Sequence, residues 1–196
     1  MKRVLIFMVL CICASVMQAQ RSTLKTNLIY DTTSSLNVGA ETLLGDHLSF
    51  DVSVNINPWT FSGNRKMKHL MVQPELRYWQ CTPYNGSFWG VHTHYAKYNF
   101  SGMLPWGFSD GRMFGLDNRA IINHRYEGWL AGGGFSYGYH LILSRRLGLE
   151  FELGLGYTYL KYDKFPCVKC GRRQKSSHKN FIGPTKAAVS LVYYIK

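Results

Sequence analysis

Leu147-Gly-Leu-Glu-Phe-Glu-Leu-Gly-Leu-Gly-Tyr-Thr-Tyr159 decides the fold. Its odd positions are Leu147, Leu149, Phe151, Leu153, Leu155, Tyr157 and Tyr159, and its even positions are Gly148, Glu150, Glu152, Gly154, Gly156 and Thr158. Successive residues of a strand point to opposite faces, so the stretch has an apolar, aromatic-ended face backed by a polar, glycine-rich one. It runs for 13 residues, whereas strands of soluble proteins average about five or six. A membrane-spanning strand needs about 9–11 tilted residues with aromatic side chains at the interface.

The same alternation recurs on both sides of this stretch. Upstream, across the turn Ser144-Arg-Arg146, Trp129, Ala131, Phe135, Tyr137, Tyr139 and Leu141 alternate with Leu130, Gly132, Gly134, Ser136, Gly138 and His140. Before that, Trp89, Val91, Thr93 and Tyr95 oppose Gly90, His92, His94 and Ala96. Leu70, Val72, Pro74, Leu76 and Tyr78 oppose Met71, Gln73, Glu75, Arg77 and Trp79. Pro74 cannot donate to a ladder, so a bulge is expected there. Further strands are expected at Leu24–Asp31, Asn37–Leu44 and Leu48–Asn57. Downstream, Thr185, Ala187, Val189, Leu191, Tyr193 and Ile195 alternate with Lys186, Ala188, Ser190, Val192, Tyr194 and Lys196.

These make eight strands. Short turns fall at Gly45–His47, Cys81–Gly86 and Ser144–Arg146, and longer links at Pro58–His69, Ser101–Tyr126 and Lys161–Gly183. Only the short Thr32–Ser35 link breaks the rule that long and short links alternate. The expected fold is all-β: an eight-stranded antiparallel up-and-down transmembrane β-barrel, small and OmpA/OmpX-like, with periplasmic turns and extracellular loops. Trp59 in the 58–69 loop suits an interfacial anchor. The 101–126 link carries Trp106, Phe108, Met113, Phe114, Leu116, Ile121 and Ile122, so it is expected to pack on itself, across the barrel mouth or against a partner.

Alternation alone does not say which face is inward, since a soluble lipocalin-like barrel would reverse the faces. Two features favour polar inside. The polar faces carry both signs of charge (Lys25, Glu41, Asp51, Glu75, Arg77, Glu150, Glu152 and Lys186, with His92 and His94), which pair across a lumen. They also carry glycines that suit an eight-strand interior barely wide enough for side chains. A lumen filled by paired charges is a plug rather than a channel, and negligible conductance is expected.

The N-terminus fits export. Lys2 and Arg3 precede the uncharged Val4–Val16, and Met17-Gln-Ala19 leads into Gln20. Residues 1–19 read as a signal peptide and 20–196 as a single barrel domain. No later segment approaches the apolar length of a membrane helix. The chain has 23 Lys and Arg against 11 Asp and Glu, a formal +12. In an exported protein this charge suits phosphorylated lipid headgroups rather than nucleic acid. The mature chain would keep Cys81, Cys167 and Cys170. Cys167-Val-Lys-Cys170 lacks a second ligand pair, so a loop disulfide or free thiols are favoured over zinc.

Lys25-Thr-Asn-Leu-Ile-Tyr-Asp31, Asn57-Pro-Trp59, Val72-Gln-Pro-Glu-Leu-Arg-Tyr-Trp79 and Gly90-Val-His-Thr-His94 together resemble a Bacteroidota family known only as a domain of unknown function. The resemblance covers the mature chain and implies a small outer-membrane β-barrel. Members often stand beside fimbrial genes, which implies a role in surface assembly or envelope anchoring. It implies no catalytic residues. The terminal Tyr193-Tyr-Ile-Lys196 departs from the final Phe common in outer-membrane barrels.

Candidate chemistry is sparse. His92 and His94 share a strand face and, with Glu75 or Glu150, would make a metal set, but hydrogen bonds to lumenal carboxylates are the favoured reading. Ser136, His140 and Glu150 or Glu152 contain the parts of a lipid hydrolase. Yet residues four apart in a strand lie about 13 Å apart, too far for a nucleophile and its base. No catalytic, cofactor or metal residues are assigned. The Lys161–Lys179 segment sets Lys161, Lys164, Lys169, Arg172, Arg173, Lys175 and Lys179 against Asp163, and is expected to be a surface basic loop. The expected function is a non-catalytic outer-membrane role in surface structure, adhesion or fimbrial assembly. Expected partners are outer-membrane lipid, lipopolysaccharide and a fimbrial or other surface protein. The alternatives are a small enzyme acting on lipid or lipid A, and a soluble ligand carrier.

Overall fold

The computed structural model describes residues 22–102, 112–113, 116–166 and 171–195. The expected signal peptide lies outside the described residues, as do Trp106, Phe108, Phe114, Cys167, Lys169 and Cys170. So do the side chains of Met113, Leu116 and Ile121. Eight long strands carry the fold: β1 (Ser22–Asn27), β2 (Leu36–Leu43), β3 (Leu48–Asn57), β4 (Arg65–Trp79), β5 (Gly86–Ser101), β6 (Arg125–Ile142), β7 (Leu147–Phe165) and β8 (Lys175–Ile195). Each pairs antiparallel with its sequence neighbours, except that β1 also pairs with β8. That last pairing closes the sheet into a ring. Two short helices, α1 (Leu28–Thr32) and α2 (Asn118–Asn123), lie in the links. No helix among the described residues is long and apolar enough to cross a membrane, which says nothing of crossing by strands.

Alternation sets the two faces. Along β7, Glu150 and Glu152 are buried while Leu153 is 73% and Leu155 66% exposed. Along β4, Gln73, Glu75, Arg77 and Trp79 are buried, and Leu70, Val72, Leu76 and Tyr78 are exposed. The apolar faces of all eight strands therefore look outward, and the ring is filled with polar and charged side chains.

Five expectations change. The first strand stops at Asn27, whose side chain accepts from Ile29 N at 3.1 Å and starts α1. Tyr30 thus leaves the outward face and borders the interior cavity, and the link across this end is a full Leu28–Ser35 rather than a short turn. All four long links then lie at one end, and three short turns with both described termini at the other. Second, β4 starts at Arg65, so the 58–69 loop shrinks to a Thr60–Phe61 strand and a 3-10 turn. Third, Pro74 makes no bulge. Its register with β3 is continuous through Val52↔Pro74. With β5, Val72↔Tyr95 and Glu75↔His92 keep one offset, so neighbouring rungs hold the ladder where the donor is missing. Fourth, the bulge sits on β8, where Gly154 opposes Lys186 and Leu155 opposes Pro184, leaving Thr185 unpaired. Fifth, the expected basic loop is largely ladder, paired up to Lys164↔Lys175.

Strand length is uneven. β1 has 6 residues, whereas β6, β7 and β8 have 18, 19 and 21. β4 to β8 therefore stand beyond β1 to β3 as a wall at the long-link end, with β4 paired to β5 as far as Lys66↔Ser101. Its inner side holds Tyr98, Tyr126 and Tyr162, packed with Phe100, Leu130 and Ile122 of α2. The 102–124 link thus seats its helix in the mouth of the ring. Trp59 stays exposed, with its indole N–H donating to Ser34 O at 2.8 Å.

Candidate functional site

Among the described residues, the charged interior is the densest constellation of ionisable groups. Arg77, on the inward face of β4, stands at its centre. Its Nη1 donates to Glu41 Oε2 at 3.0 Å and lies 3.0 Å from Glu150 Oε1; its Nη2 donates to Glu152 Oε2 at 2.7 Å. Its Nε donates to Glu75 Oε2 at 3.2 Å, and Asp51 lies 3.9 Å away. A guanidinium presents five donors in a planar fork, which is why one side chain here reaches carboxylates from β2, β3, β4 and β7.

Two lysines complete the set. Lys25 of β1 pairs with Glu41, with Asp51 at 3.1 Å and with Glu150 at 3.1 Å. Lys186 of β8 pairs with Glu75, and with Glu152 at 3.0 Å. Neutral donors help to meet the surplus of carboxylates over cations: Ser49 donates to Glu41, and Ser136 to Glu75. His140 Nδ1 lies 3.2 Å from Glu150, and its Nε2 lies 2.6 Å from the Tyr194 hydroxyl. Unpaired charges in such a site would be costly, and mutual pairing offsets that cost.

Aromatic rings close the floor beneath this layer. Trp79 packs on Phe88 with centroids 4.8 Å apart and donates to Ser49 Oγ at 2.8 Å, and Phe88 carries the Arg77 guanidinium at 4.5 Å. Tyr84, from the 80–85 turn, meets Trp79 and Tyr194 edge-on. Its φ of +60° is unusual for tyrosine. Burial, then the nearby Glu41 charge, pushes its phenol above the ordinary value. Above the charges lies a cavity of about 30 Å³ bordered by Lys25, Asp51, Arg77, Glu150, Glu152 and Lys186, room for one or two waters. Tyr30 of α1 borders it too, and burial pushes that phenol up to about 12.

His92 and His94 stand apart from the charge cluster. Their Nε2 atoms meet hydroxyls rather than carboxylates, Thr185 and Thr158 respectively, each at 2.9 Å. The bulge explains the first contact: it turns Thr185 off the outward face. Among the described residues no group of three or more His, Cys, Asp or Glu is arranged to hold a metal. Ser136 and His140 are also separate, one on Glu75 and the other on Glu150.

The basic segment divides. Lys161 points outward beside Trp129, and Lys179 shares the interior register with Leu160. The Lys164 ammonium lies 6.0 Å from the Tyr126 ring, and Lys164 faces Lys175 in register. Arg173 pairs with Asp163 at 3.3 Å. The bond from Ser176, then Arg173, holds the Asp163 carboxyl below its usual value. Arg172 is exposed in the turn.

Interior residues not singled out from the sequence include Asn27, Asn37 and Asn55, linked by Asn27 N–H to Asn37 Oδ1 at 2.7 Å and by Asn37 to Asn55. All three sit on polar strand faces, so face parity alone would have found them. No local signal marks Thr185.

The model of one family, described as "Protein of unknown function (DUF3575)", matches residues 4–195. The chain belongs to that family. Comparison with curated proteins and with solved structures gives no match in either. For this DUF3575 member the interior geometry therefore stands as the main guide to function.

Proposed function

We propose that this DUF3575 chain is a transmembrane β-barrel of the bacterial outer membrane, with a plugged lumen and a non-catalytic role in surface structure, adhesion or fimbrial anchoring. The observation that carries the reading is the inverted distribution of polarity. Arg77, Glu41, Glu75 and Glu150 are each about 1% exposed, while Ile182 is 83%, Leu153 73% and Phe135 72% exposed. Soluble proteins rarely expose a contiguous apolar patch beyond a few hundred Å², and here the outward apolar residues come from every strand around the ring. A closed ring also pairs its backbone groups internally, which hydrocarbon demands. Aromatic side chains rim this belt: Tyr78, Trp89, Tyr137, Tyr139 and Tyr193 toward the short turns, and Tyr95, Trp129, Tyr157 and Tyr159 toward the long links.

The plug follows from the filled interior. Paired charges and a floor of rings occupy the interior, and every ionised group of the cluster has an opposite partner. The resemblance carried by Lys25–Asp31, Asn57–Trp59 and Val72–Trp79 implies a setting beside fimbrial genes, which favours surface assembly over transport. The test is fractionation of the expressing bacterium followed by alkaline carbonate washing. The protein should stay in the outer-membrane pellet. Recovery in the soluble periplasmic fraction would reject the reading.

A further inference from the structure

The outer wall carries a second ordered set of charges, separate from the interior. At the long-link end, β5, β6, β7 and β8 present three successive outward rows. The lowest is aromatic, with Tyr95 and Tyr159 flanking Ala131. Next come Lys97, Trp129, Lys161 and His178, each paired in register with its neighbour. Above them stand Asn99, Glu127, Asp163 and Ser176, again in register.

The rings form one continuous ladder across four strands. Tyr95 and Trp129 centroids are 6.3 Å apart, Trp129 and Tyr159 5.6 Å, and Tyr159 and His178 5.7 Å. Lys97 and Lys161 flank the indole from either side, so their backbones stand about 10 Å apart across one intervening strand. Both lysines are exposed, and the Lys161 charge adds to Ser176 and Arg173 in holding the Asp163 carboxyl low. Asp163, the acid next above Lys161 on the same face, is engaged by Arg173 at 3.3 Å. The arrangement is one-sided. Lysines on the outward face of described strands (Lys66, Lys68, Lys97 and Lys161) all lie at the long-link end. At the short-turn end, Tyr137 instead donates to Ser87 at 3.1 Å, and among the described residues no strand-borne lysine follows the rings.

We infer that Lys97, Trp129 and Lys161 form a binding strip for the phosphorylated headgroup of an outer-leaflet glycolipid. The indole and tyrosine rings sit at headgroup level, where amphipathic rings are stable. The two ammonium groups then stand just beyond the hydrocarbon, at the height of headgroup phosphates. The binding site is thus the wall, and the turn basics at Arg172 and Arg173 are not part of it. This inference rests on the membrane reading.

The experiment is native mass spectrometry of the folded protein in detergent, titrated with bisphosphorylated lipid A and, separately, with chemically dephosphorylated lipid A. Wild type should retain the phosphorylated form preferentially. The Lys97→Gln/Lys161→Gln variant should bind it roughly 10–30-fold more weakly, while Arg172→Gln binds as wild type. Equal retention of the two lipids, or an unchanged affinity in the double variant, would overturn the strip. Full displacement by millimolar inorganic phosphate would also overturn it, because the site would then be a simple anion site. Failure of the membrane reading looks different: the folded protein would remain soluble and monodisperse without detergent.

Discussion

Arg77 is the residue on which the interior depends. Removing one partner from a buried ionic network strands the others, at a cost of about 3–5 kcal/mol. Arg77→Ala should therefore lower stability in detergent by that order, read as a shift of the urea midpoint. Arg77→Lys should recover only part of it, since a point charge cannot replace the fork that meets Glu41, Glu75, Glu150 and Glu152. An unchanged midpoint in Arg77→Ala would contradict the network. A second residue-scale prediction concerns close approach. A Cβ on Gly134 would stand 2.2 Å from Leu155 O and 2.7 Å from the Gly156 Cα, both backbone atoms. One on Gly39 would meet nothing closer than 3.5 Å. Gly134→Ala should lose about 1–3 kcal/mol, whereas Gly39→Ala stays within about 0.5 kcal/mol of wild type. Equal effects in the same melt would count against the β6–β7 packing described.

At the scale of elements, period-two alternation made the strand faces legible. Once Glu150 and Glu152 are assigned inward, face parity carries Arg77, His92, Ser136 and Lys186 to the same side. Strand ends were less legible. The Lys25–Asp31 segment alternates throughout, but the Asn27 side chain caps a helical turn that ends the strand. Proline misled in the other direction. Pro74 sits in an unbroken register, while Pro184 adjoins the bulge that turns Thr185 inward to His92. Nothing in the local sequence distinguishes the two prolines, because neighbouring strands decide whether a missing donor is absorbed. The basic segment misled because Lys161, Lys164, Lys175 and Lys179 continue the ladder as outward and inward residues, so a charge run read as a loop is a paired wall. The sidedness of the links gives a third prediction. Cys81 is exposed in a short turn. In a Cys167→Ser/Cys170→Ser background, a membrane-impermeant maleimide should label Cys81 only after the outer membrane is permeabilised. Labelling on intact cells would reverse the proposed orientation.

The whole molecule combines a closed ring, an apolar exterior and a filled interior. Charges of both signs on one face point to a paired interior, whereas the stacking of charges over rings is set by the register of all eight strands. Filled in this way, the ring should give no stable porin-sized steps in planar bilayers, and regular steps would refute the proposed plug. The central claim is that the apolar face looks out and the charged face in. Its most direct test is gel migration of the outer-membrane fraction with and without boiling. A ring held by closed pairing and the Arg77 network should resist detergent and migrate differently when unboiled. A soluble protein with no heat-dependent shift would contradict the account, and the faces would have to be exchanged, with Leu147–Tyr159 lining a ligand pocket.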